Sequence, residues 1–61
     1  MIKIYIHWQH RQDQYIVMAV DGETILYSDI VMSEVLELTL SMLKESFSST
    51  HKEIKEYRRY I

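Results

Sequence analysis

The chain contains a single glycine, Gly22, and it follows Asp21 at the end of a β-rich apolar run, 15–20. Asp-Gly between two such runs is a strong short-range hairpin signal, because a type I′ turn needs positive φ at both central residues. The turn sets a register. Val20 is expected to face Glu23, Met18 to face Ile25 and Ile16 to face Tyr27 on one surface. Ala19–Thr24, Val17–Leu26 and Tyr15–Ser28 pair on the other.

A further strand precedes the hairpin. From 2 to 8 the residues alternate, with Ile2, Ile4, Ile6 and Trp8 on one side and Lys3, Tyr5 and His7 on the other, the period of a half-buried strand. Residues 9–14 are polar throughout and read as an exposed connection. The face carrying Ile16, Met18 and Ile25 is the more apolar and is assigned to the core with the isoleucines of the first strand. Tyr5, His7, Tyr15, Val17 and Leu26 are left on the second face, which is too apolar for plain solvent surface.

The second half of the chain changes period. Ser33 is a suitable N-cap, Glu34 complements the positive end of a helix dipole, and apolar residues recur at helical spacing up to Phe47. At 100° per residue they form two stripes: Leu36, Leu40, Leu43 and Phe47 suit the sheet, whereas Val35, Leu38 and Met42 lie about half a turn away. Ser46, Ser48, Ser49 and Thr50 weaken the helix. Thr50 with Glu53 fits a capping box, so a second helix bearing Ile54, Tyr57 and Ile61 on one face is expected there. One continuous helix from Ser33 is the rival. A strand over 53–61 is disfavoured because Lys55, Glu56, Arg58 and Arg59 fall in pairs between apolar residues. The expected fold is therefore α+β: a three-stranded antiparallel sheet (β-β-β) followed by one long or two consecutive C-terminal helices. The order of strands and helix resembles small antitoxin and double-stranded-RNA-binding-like domains in topology alone; no function is carried over from it.

Size sharpens the reading. A chain of 61 residues is one domain, 1–61, and buries only about 60% of its unfolded surface, near the limit for folding alone. With no cysteine, disulfides and thiolate zinc sites cannot supplement the core, so self-association is the expected support. The same absence fits a reducing, cytoplasmic setting. No stretch has the roughly 18 apolar residues of a membrane span, and no secretory signal is evident. A net charge of −2 gives no general attraction to nucleic acid or anionic membrane.

The chemistry-bearing residues are sparse. The three histidines, His7, His10 and His51, have no ligand partners at metal-binding spacing, so no metal and no cofactor is expected. Asp21 serves the turn, and Glu34, Glu37 and Glu45 lie on the polar side of the helix. No nucleophile elbow or phosphate-cradling loop is present, and enzymatic activity is not expected. Lys52, Lys55, Arg58 and Arg59, interleaved with Tyr57 and Tyr60, form the one basic and aromatic cluster. It is a candidate nucleic-acid contact, although Glu53 and Glu56 interrupt it. Tyr5, His7 and Tyr15 read as a protein interface in preference to a base-stacking platform, since Lys3 is the sole cation on that face. The sequence thus points to a non-enzymatic protein-interaction and regulatory module, homodimeric, using Val35, Leu38, Met42, Tyr5 and Tyr15. The alternative is a small nucleic-acid-binding regulator using the basic C-terminal cluster.

Overall fold

In the computed structural model, which describes residues 1–9 and 12–60, the alternating N-terminal run forms strand β1, Ile2–Gln9. It pairs antiparallel with β2, Gln14–Asp21, from Ile2 opposite Asp21 to Gln9 opposite Gln14. This register places Ile2, Ile4 and Ile6 on the same face as Val17 and Ala19, all of them buried. The expected core face of the hairpin is thereby inverted: Ile16 and Met18 lie on the far side and Val17 lies inside. Val17 and Ala19 are the residues enclosed, in one core cluster with the isoleucines of β1 and with Leu36 and Leu40.

The hairpin to β3, Thr24–Met32, also differs from the Asp-Gly expectation. Asp21 pairs with Thr24, so the central turn residues are Gly22 and Glu23. Only Gly22 takes a positive φ, +64°, as a two-residue turn with glycine first requires. Ala19 then pairs with Tyr27 while Val20 pairs with Ile25. The extra residue, Leu26, makes a β-bulge, and beyond it Tyr27, Asp29 and Val31 turn to the helix side.

After a 3₁₀ turn at Ser33–Val35, the helix α1 spans Leu36–Ser48. Ser33 does not cap it; its hydroxyl is turned to the Asp13 carboxylate, 3.4 Å away. Leu36 and Leu40 are buried, Leu43 and Phe47 pack at the margin of the core, and the stripe expected to meet the sheet does so. Hydroxyls then end the helix by capturing carbonyls: Ser48 donates to Glu45, Ser49 to Ser46 and Thr50 to Phe47. Thr50 Oγ1 also accepts the Lys52 amide N–H, at 3.3 Å, which consumes the group expected to start a second helix. His51, at φ +59°, reverses the chain.

The last element is a strand. β4, Ile54–Tyr60, lies parallel to β1, with Ile2 opposite Ile54 and Tyr5 opposite Tyr57. The Ile2 N–H donates to the Glu53 carbonyl at 2.8 Å where the pairing begins. The result is a four-stranded mixed sheet in the order β3-β2-β1-β4 with one helix between β3 and β4, not a three-stranded antiparallel sheet followed by helices. The paired charges that argued against a strand are accommodated because Glu56 and Arg58 face the helix, where partners await them. Glu56 is ion-paired with Lys44, and the Arg58 guanidinium is bonded to Glu37 at 3.2 Å.

Candidate functional site: the uncovered face of the sheet

One helix covers one face of the sheet. The other carries Lys3, Tyr5 and His7 from β1, Ile16, Met18 and Val20 from β2, Ile25, Ser28, Ile30 and Met32 from β3, and Lys55, Tyr57 and Arg59 from β4, as strand alternation and the pairing registers require. No member of this set is acidic. It divides into two halves. The β3 side is apolar and open to solvent, with Ile25, Ile30 and Met32 each more than half exposed. The β1–β4 side is basic and aromatic.

In that second half the parallel pairing sets Tyr5 beside Tyr57, and their rings stack at 5.3 Å between centroids with 20° between planes. A shallow cavity of about 360 Å³ beside them is lined by Tyr5, Ile6, His7, Tyr57 and Arg59. A second, of about 450 Å³, lies past the other end of Tyr5 and is lined by Met1, Lys3, Val20, Asp21 and Gly22 with it. Lys3, Lys55 and Arg59 are exposed and make no ion pair among the described residues.

The remaining cations are engaged elsewhere. Lys52 is ion-paired with Asp21, whose carboxylate also lies 3.8 Å from the N-terminal ammonium; the Lys52 partnership holds the Asp21 carboxyl below its usual range. Arg58 sits on the helix side, against Glu37 and Glu56. The four-residue basic cluster of the sequence is therefore split by strand alternation. Lys55 and Arg59 join Lys3, Tyr5 and His7, a combination that neither end of the chain shows by itself. The signal was the spacing Lys55-x-Tyr57-x-Arg59, which puts all three on one face of a strand.

The other expected contacts are dispersed. Tyr15 does not accompany Tyr5; it lies on the helix side, half-buried, its ring 4.6 Å from that of Trp8. Val35, Leu38 and Met42 are exposed on or just before α1, Leu38 and Met42 at 63%. Met42 borders an apolar groove of about 280 Å³ between α1 and β3, with Tyr27, Thr39, Leu43 and Ser46. Burial, and secondarily the nearby Asp29 charge, push the Tyr27 phenol up. His10, considered as a metal ligand, and Ile61 lie outside the described residues. Among the described residues no three His, Asp or Glu side chains converge, and no helix is long and apolar enough to cross a membrane. Set against known proteins, the chain matches no family model, no curated protein and no solved structure.

Proposed function

We propose that this protein is a non-enzymatic interaction module that acts as a homodimer and regulates another protein by binding it. The observation that carries this reading is the number of exposed apolar side chains on two surfaces: Ile25, Ile30 and Met32 on the β3 half of the open face, and Val35, Leu38 and Met42 on and just before α1. A twofold contact needs a self-complementary patch, and an exposed stripe beside an apolar groove can supply one. Two copies related by a twofold axis can each set Leu38 and Met42 against the other's groove at Tyr27 and Leu43. The flat β3 half of the open face then remains for the regulated partner, whose contact surface is apolar at its centre. The small core supports the same reading, since a second copy supplies burial that the monomer lacks.

Leu38→Glu tests it. The side chain is exposed, so the variant should fold, while a charge placed in the dimer contact should give monomeric mass by light scattering where the parent protein gives twice that mass. A parent protein that is monomeric across the concentration range would refute the dimer. Retention of a specific protein from nuclease-treated lysate, lost on Ile30→Glu, is the result expected for the β3 half; retention unaffected by Ile30→Glu would remove that half from the contact.

A further inference from the structure

The basic and aromatic half of the open face is independent of the apolar surface along β3 and α1 and carries a different chemistry. We propose that Lys3, Tyr5, His7, Lys55, Tyr57 and Arg59 form a binding site for single-stranded nucleic acid. Three features lead there. First, charge is segregated: a chain of net charge −2 places three cations without an ion pair among the described residues, and a histidine, together on strands that bring no carboxylate to that face. Asp21, which lines the cavity beside Lys3 and Tyr5, is ion-paired with Lys52 and the N-terminus. An anionic occupant is selected, and two copies of this surface repel each other.

Second, the cations surround aromatic rings. Tyr5 and Tyr57 are stacked on one another with about two-fifths of each residue exposed; Tyr5 has Met18 as its other cross-strand neighbour, while Tyr57 lies on the edge strand β4 with no strand beyond it to cover a planar group stacked there. Bases offer such a group together with phosphate charge, and base–aromatic stacking is the recurrent device of single-strand binders. An acidic protein surface would satisfy the cations and leave the stacked rings unexplained.

Third, the shape excludes a duplex. The site is a shallow strip along two adjacent strands, about 13 Å from Lys3 to His7 at strand rise, with a cavity at each end of Tyr5. The one α-helix among the described residues packs on the other face and is not offered to a groove from this side, and bases stacked inside a duplex do not present their faces to a sheet. A few unpaired nucleotides fit the strip, with phosphates toward Lys3, Lys55 and Arg59 and a base in the cavity between Tyr57 and Arg59.

The test is fluorescence anisotropy with a labelled deoxythymidine oligomer of about twelve nucleotides, a duplex of equal length and an oligo-glutamate peptide. With three phosphate contacts the logarithm of affinity should fall against log salt with a slope near −2, from about −0.7 per contact on single strands. Lys55→Ala with Arg59→Ala should cut affinity at least tenfold and flatten the slope. Tyr57→Ala should cut it at least fivefold at unchanged slope, the low end of what one lost base stack removes. Leu38→Glu, on the opposite side, should leave binding intact, which separates this site from the dimer contact. Circular dichroism checks that each variant is folded. No binding of the oligomer at low salt overturns the proposal. So does equal binding of oligo-glutamate with Tyr57→Ala without effect, which would assign the face to an acidic protein. Preference for the duplex overturns it as well.

Discussion

Asp29 is the only charged residue in β3, an edge strand of the sheet, and its carboxylate accepts the backbone N–H of Ile30 at 2.8 Å. An edge strand with free donors and flanking Ile25, Ile30 and Met32 is a template for aggregation, and a charge plus an occupied donor blunts it. Asp29→Ala should therefore shorten the lag of thioflavin-detected aggregation under agitation, and Asp29→Asn, which keeps an acceptor, should fall between it and the parent. Equal lag times in all three would show that the guard lies elsewhere.

Glu56 shows how a carboxylate turned toward a core is made tolerable. One of its oxygens is shielded from solvent, and Lys44 provides the compensating charge. That ammonium, with Arg58 assisting, holds the Glu56 carboxyl below its usual value of 4.5 despite opposing desolvation. A carboxyl lowered in the folded state adds stability above its unfolded value, and the contribution is lost as pH falls through the folded value. Urea midpoints should thus hold steady from about pH 7 to 5 and decline below about 4.5. Because both partners keep solvent access, Glu56→Gln should cost only about 0.5–1 kcal/mol at neutral pH. Its difference from the parent should vanish in strong acid. A constant difference down to about pH 2 would mean that packing, not charge, is what the substitution removes.

Among the elements, β1 and the inner stripe of α1 were legible in the sequence because a single physical demand shaped each. Ile2, Ile4 and Ile6 alternate for one covered face, and Leu36, Leu40, Leu43 and Phe47 recur at helical period for the same core. The hairpin was legible as a turn but not as a face. Gly22 marks it, yet the choice between Ile16/Met18 and Val17/Ala19 rests on the register with β1, which composition does not reveal. The bulge at Leu26 then shifts β3 by one residue, a slip that reverses every side chain beyond it. β4 was concealed because its inward positions are Ile54, Glu56 and Arg58. Two charges on a core-facing side read as helix until Lys44 and Glu37 are known to stand above them. The candidate site was visible only as two fragments, since its unity depends on the parallel pairing of residues over fifty positions apart.

The helix–sheet contact is also where the fold is least tolerant. Leu40 is 1% exposed and lies in a core of only eight buried hydrophobic residues among those described. Truncating such a leucine costs about 2–5 kcal/mol. A domain of this length has roughly 3–9 kcal/mol in total at typical stability per residue. Leu40→Ala should therefore leave a large unfolded fraction at 37 °C by circular dichroism, whereas Leu43→Ala, at the margin, should unfold cooperatively a few degrees below the parent. Equal melting of the two variants would show that the core does not centre on Leu40.

At the scale of the whole molecule, three chemistries are kept apart: a covered core, apolar surfaces on outer α1 and on the β3 half of the open face, and a basic aromatic strip along β1 and β4. A core this small makes stability and association one problem, because a partner that binds only the folded chain stabilises it by mass action. If Leu38 and Met42 meet a second copy, the melting temperature should climb with protein concentration. Each tenfold rise in concentration contributes about 1.4 kcal/mol of association free energy per mole of dimer, shared between two chains, and about 1 kcal/mol shifts the midpoint of a domain of this size by about 4–8 °C. A rise of several degrees per decade is thus expected for the parent protein and none for Leu38→Glu. The nucleic-acid strip predicts a separate increment: the deoxythymidine oligomer should raise the midpoint of both proteins alike, since its contacts lie on the far face of the sheet. Concentration dependence that survives Leu38→Glu would place the dimer contact on β3 instead, and an oligomer effect confined to the dimer would mean that the strip is completed only when two copies meet.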